Sequence, residues 1–215
     1  MDILALQLLL GIVFLTVVFL HISKKDFGAV IAYSIQSLAM VAILFFSFLQ
    51  THDISLLYIV AMTLLVKVVL APIFFVRLVK KYALVFSVST YLNTPLTLII
   101  IAALTAIAHS QKLFSLTNIV PVNHAMLALA LSTILLALFL IVNRRGALSQ
   151  IIGILSFENG IVAFGIFAGL EQSFGLQMGI IFNILLWLII ATAFVSMLYK
   201  HFGSLNVTSM KQLTD

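Results

Sequence analysis

The chain has no cysteine, so disulfides, thiolate zinc sites and iron–sulfur ligation are excluded. Charge is also scarce: Asp, Glu, Lys and Arg together make up 8% of the 215 residues, against about 25% in an ordinary soluble domain. The motifs of soluble catalysis are missing as well. There is no GxSxG, no Walker loop, no GxGxxG after a strand and no CxxC. The net charge of +5 comes from lysines and arginines between apolar runs. No basic surface interleaved with aromatics is present to bind nucleic acid. Five histidines, His21, His52, His109, His124 and His201, fall at the ends of apolar runs, and none pairs with another ligand at i,i+3 or i,i+4. The sequence therefore calls for no metal and no cofactor of its own, and it does not read as an enzyme by itself.

What is there is hydrocarbon. Hydrophobic residues form 64% of the chain and the mean hydropathy is +1.30, the composition of an all-α, polytopic membrane protein. The start, MDILALQLLLGIVFLTVVFLHISKK, lacks a basic leader and a small-residue cleavage site, so it reads as a retained first span. About seven spans are expected: Ile3–His21, Gly28–Leu49, Ile54–Val76, Tyr91–Ala108, His124–Val142, Leu148–Leu170 and Met178–Tyr199. The fourth is the weakest pattern, because the preceding 82–93 stretch is also apolar and Pro95 interrupts the run. With the N-terminus outside and the C-terminus inside, Lys24, Lys25, Arg77, Lys80, Lys81, Arg144, Arg145, Lys200 and Lys211 gather on the cytoplasmic side. Only Lys112 then lies outside, a strong positive-inside bias.

The rest of the chain is organised around 144–172, RRGALSQIIGILSFENGIVAFGIFAGLEQ, an apolar run with one carboxylate near its centre. Glu158 lies ten residues past Leu148, roughly 15 Å along a helix and half of a hydrocarbon core about 30 Å thick. A lone acid at that depth costs at least ~2.5–3.5 kcal/mol on insertion scales, so it belongs inside a bundle with a partner. It is either packing glue in its neutral form or a proton-relay acid, and the relay is the default expectation for an intramembrane ionisable group. Lys67, thirteen residues past Ile54 in TLLVKVVLAPIFF, is also near mid-depth. From there snorkelling is a long reach, so an interior or water-facing position is expected. Pro72 should free a backbone carbonyl near it and kink the helix.

Other polar groups point the same way more weakly. Gln36 and Ser37, with Ser34 nearby, can hydrogen-bond across helices, as can Asn183 in the last span. Asn159 adjoins Glu158 but points about 100° away on a helix, so it should serve a different contact. Gly153, Gly160, Gly165 and Gly169 suit close helix approach, and GIFAG is a small-xxx-small pattern. The candidate proton-path residues are thus Glu158, Lys67, Asn183 and Gln36.

From about Val122 the chain resembles the three-span K subunit of bacterial complex I and the C subunit of multi-subunit cation/proton antiporters. The stretch NRRGALSQIIGILSFENG carries the likeness, with Arg144, Arg145, Gly153 and Asn159 in register. The K-subunit glutamate aligns with Leu155, three residues before Glu158 and on the same helix face. Almost the whole chain resembles the seven-span hydrogenase-4 component E family. The matching pieces are QSL at Gln36–Leu38, KVVLAP at Lys67–Pro72, FENG at Phe157–Gly160 and HFGSLNV at His201–Val207. Asn183 stands where that family carries an aspartate. The resemblance implies a four-helix part over 1–121 and a three-helix part over 122–215, in a bacterial or archaeal cytoplasmic membrane. It implies a subunit of a complex-I-like assembly, with antiporter-like membrane subunits and a peripheral redox module, such as a nickel–iron hydrogenase, as partners. Redox chemistry would belong to those other chains, and this one would contribute to proton or sodium translocation. The alternatives are a subunit of a cation/proton antiporter without a redox module, or a purely structural membrane spacer.

Overall fold

The structure is a computed structural model describing residues 3–24, 26–81, 90–110, 124–169 and 174–202. Lys25, Lys112 and Lys211 lie outside the described residues, as does the tail motif from Gly203 on and most of the apolar 82–93 stretch.

Apolar runs of the length noted above fold as helices because a helix satisfies every internal backbone group without water. The order is α1 (Ile3–Ile22), α2 (Asp26–Thr51) and α3 (Ile54–Thr63), followed by a wide π turn (Leu64–Leu70). Then come α4 (Ala71–Lys81), α5 (Thr94–Ala108), α6 (His124–Asn143), α7 (Ala147–Phe167) and α8 (Phe174–Phe202). No strand occurs among the described residues. Among the described residues, five helical rods are long and apolar enough to cross a membrane: Ile3–Ile22, Phe27–Thr51, Ile54–Lys80, His124–Asn143 and Ala147–Phe167. The expected fourth span is shorter than its pattern. Asn93 caps α5 by accepting from the Leu96 N–H at 3.0 Å, and Pro95 sits in the first turn. Pro95 therefore starts the helix instead of interrupting it, since its missing N–H is one that no helix would use. Thr90 forms an isolated antiparallel bridge with Arg144, and the bend at 91–92 is clipped to the end of α6. Tyr91 and Leu92 donate to the Asn143 backbone and side-chain oxygens, each at 3.0 Å.

Pro72 does not simply kink its helix. Its ring would crowd the carbonyl four residues back, and the chain widens instead, with the Ala71 N–H reaching Val66 O five residues back. Pro72 has no N–H to give the next carbonyl in that register, which is that of Lys67. The wide turn is centred on the lysine.

Among the described residues, two large apolar clusters form most of the core, and a small third joins Val17, Ile101 and Leu136. One joins Ala29, Tyr33, Phe75, Leu140, Ile152 and Leu155 with Ile181 and Ile184. The other joins Leu10, Met40, Leu44, Ile59, Ala130, Val162 and Ala163. Near where the helices pass from one cluster to the other they carry polar residues: Gln36 and Ser37 on α2, Thr63 and Lys67 on the α3–α4 rod, Ser132 and Thr133 on α6, and Ser156, Glu158 and Asn159 on α7. All are buried, so the bundle carries a polar layer at mid-height. The tightest contact is α6 on α7. A Cβ on Gly153 would sit 2.8 Å from Ile141, and one on Gly160 would sit 3.0 Å from Ile134, with backbone atoms close behind both. Gly169 serves another purpose, ending α7 with a φ of 70°.

Candidate functional site

The mid-height layer centres on Asn159. It is fully buried, and both ends of its amide are used. Its Oδ1 accepts from Lys67 Nζ at 2.7 Å, while its Nδ2 reaches Gln36 Oε1 and Ser37 Oγ, each at 3.4 Å. Three elements meet there. Residues 36 and 37 are presented by α2, residue 159 by α7, and residue 67 by the π turn. Lys67 is 3% exposed, so it is interior as its depth requires, with no snorkelling. An ammonium group has three donors, and the 2.7 Å contact uses one. Beside it lies a small cavity of about 10 Å³, bounded by Thr63, Lys67 and Asn159 with apolar walls that include Met40, Val162 and Ile181. That is room for about one water among polar groups able to hold it.

Glu158 turns the other way, as the 100° helical step demands. It is 9% exposed, and its Oε1 accepts from Asn183 Nδ2 of α8 at 2.8 Å. Its Oε2 is buried and takes no hydrogen bond from the described chain, and the same holds for Gln36 Nε2. Asn183 itself is exposed on the outward face of α8. No hydrogen bond joins Lys67 to Glu158 among the described residues, although the two charges lie within electrostatic range of one another. The four sequence candidates thus separate into two groups: Lys67 and Gln36 meet on Asn159, and Glu158 meets Asn183. Asn159 and Ser37 are the residues that sequence reasoning undervalued. The usable signal was Asn159's position, one step from an intramembrane acid on a largely buried helix.

At the end of the bundle that holds the 144–146 loop, Arg144 is 2% exposed and donates to the carbonyls of Leu20 and Ser23, closing the last turn of α1. Arg145 stacks over Tyr91 at 4.6 Å. His21 donates from Nδ1 to Val17 O at 2.9 Å and stacks on Phe139. Among the described residues no three His, Asp or Glu side chains cluster as metal ligands.

Fold and layer together define an all-helical chain whose apolar helices fit a multi-pass membrane protein with a polar layer at mid-helix. In comparison with known proteins, the chain is 26% identical over 196 residues to the uncharacterized protein Rv0085 of Mycobacterium tuberculosis. The match covers 89% of this chain and 88% of that one. No family model matches the chain, and no solved structure does.

Proposed function

We propose that the chain is a membrane subunit of a complex-I-like respiratory or hydrogenase assembly, N-out and C-in, contributing protonatable groups to redox-coupled ion translocation. The observation that carries this reading is the placement of Lys67. A lysine held on Asn159 at mid-height, inside a π turn and beside a water-sized cavity, is costly for packing alone. Interruptions of this kind within helices recur at functional positions. Glu158 lies within electrostatic range, so a change of charge on either residue alters the proton affinity of the other. The resemblance to the hydrogenase-4 component E family supports the same reading, and it assigns electron transfer to other chains, including a nickel–iron hydrogenase-type module. This chain is then not catalytic by itself.

The test is extraction of the tagged chain in mild detergent, with mass spectrometry of what accompanies it. Antiporter-like subunits together with a redox module are the expected result. Antiporter-like subunits alone would move the function to cation/proton exchange. A lone, monodisperse chain would remove both readings.

A further inference from the structure

The glycines of α7 and α8 are used differently. On α7, the space beside Gly153 and Gly160 is filled by Ile141 and Ile134 of α6, side chain first and backbone close behind. On α8, a Cβ built on Gly175 or Gly179 meets nothing within 4 Å. Gly175, Gly179 and Asn183 follow one another at intervals of four, so they share a face of the helix, and all three are exposed. Phe182 and Leu186, 67% and 45% exposed, flank the strip. Small residues at this spacing let a second helix approach backbone to backbone, and this chain supplies no such helix among its described residues.

A glycine strip alone would say little. Here it ends on a carboxyl group that needs something. Glu158 is nine-tenths buried, is held through Oε1 by Asn183 of that strip, and has Oε2 buried without a hydrogen bond. Asn183 meets Glu158, which lies eleven residues past Ala147, about 16 Å along α7 and so near the middle of that helix.

We propose that the Gly175–Gly179–Asn183 face of α8 docks a transmembrane helix of a different membrane protein, one that presents a lysine or arginine at this depth to Glu158. Charge selects the occupant. A second copy of this chain would bring a second Glu158 to the same face, placing like groups together, while Lys67 is committed to Asn159 on the inner side. A basic side chain from another protein completes the carboxylate with a charge-assisted bond, and the glycines let its helix come close enough. This rests on the reading of the chain as one subunit of a membrane complex and names the face by which it assembles.

The test places a benzophenone amino acid at Phe182, and as a control at Leu15 on the outer face of α1, in the full chain in its native membranes. Irradiation at residue 182 should yield a cross-link to one membrane protein, within a helix that carries a lysine or arginine, with none at residue 15. Gly179→Leu should cut that cross-link at least tenfold while leaving the unfolding midpoint of the purified chain unchanged. A cross-link to a second copy, or to a helix without a basic residue, would overturn the proposal. So would cross-linking to lipid alone while the unaltered chain still co-purifies with a complex, which leaves the membrane-complex reading standing. Absence of any co-purifying complex would remove that reading as well.

Discussion

Asn159 faces inward, where Lys67, Gln36 and Ser37 from two other elements occupy both ends of its amide. Glu158, one residue earlier, reaches a single donor, Asn183, on the exposed face of α8. The glycines follow the same division, with Gly153 and Gly160 filled by α6 and Gly175 and Gly179 open. One helical step therefore separates an amide whose two ends the fold occupies from a carboxyl group that it leaves half open. The closed site should govern stability, because its groups have no alternative partners once broken. The open one should matter little to the isolated chain and much to an assembly.

The largest effect should come from breaking the closed side. Asn159→Leu removes the oxygen that holds Lys67 and leaves a buried charged group unpaired, at a cost of about 3 kcal/mol or more. Unfolding of the purified chain in detergent should show this as a clear loss of midpoint. A loss below about 1 kcal/mol would mean that Lys67 finds another partner and that the layer is not closed. Glycine substitution sharpens the same comparison at the backbone. Gly153→Ala places a carbon 2.8 Å from Ile141 with the Ile141 backbone close behind, an overpacking worth about 1–3 kcal/mol. Gly179→Ala meets nothing, and its greater helix propensity should leave the isolated chain unchanged or up to about 1 kcal/mol more stable. Equal losses at the two sites would erase the distinction between filled and open strips.

Much of this division can be read in the sequence, and the remainder shows where sequence stops. The depth of Lys67 and Glu158 follows from counting along apolar runs, and the separation of Glu158 from Asn159 follows from helical geometry alone. The pairing of Asn159 with Lys67 does not, because it depends on which helices lie side by side. The π turn is half legible: Pro72 announces a local break, but neighbouring packing decides between a kink and a widened turn. At Pro95 the expected interruption is a helix start, a reading that the local chemistry of Asn93 followed by a first-turn proline already contains. The open strip is the opposite case. GLQMG has the same small-residue spacing as GIFAG, yet Gly169 of the latter proves to end a helix while Gly175 and Gly179 face outward. Spacing identifies a surface that can be approached closely, and only the arrangement of helices shows whether anything approaches it.

A smaller effect is expected at the edge of the closed site. Gln36 Oε1 receives the Asn159 amide at 3.4 Å, a long contact, and its own Nε2 is buried without a partner. Replacing both ends at once with an apolar group of similar shape, Gln36→Leu, removes an unsatisfied donor together with a weak bond. The two changes oppose each other, and the net loss should stay under about 1 kcal/mol, in the range of single interhelical bonds in membrane bundles. A loss comparable to that of Asn159→Leu would place Gln36 at the centre of the site and require a shorter contact than the one seen.

The smallest effect on the isolated chain should come from Glu158→Gln. The amide keeps a carbonyl oxygen for Asn183 Nδ2, whose bond to Glu158 Oε1 is 2.8 Å, and it keeps the volume of the side chain. What it removes is the proton that the carboxyl group can gain or lose. The unfolding midpoint should therefore change by less than about 0.5 kcal/mol, within the spread of a substitution that breaks no packing. In the proposed assembly the same change should abolish coupling between electron transfer and ion movement, measured as the ion gradient built per electron in sealed vesicles. The two readouts together decide what Glu158 is. Stability kept with coupling lost identifies a titrating group. Stability and coupling both kept reduce it to a packing acid, and the open site becomes a contact surface without a proton to carry.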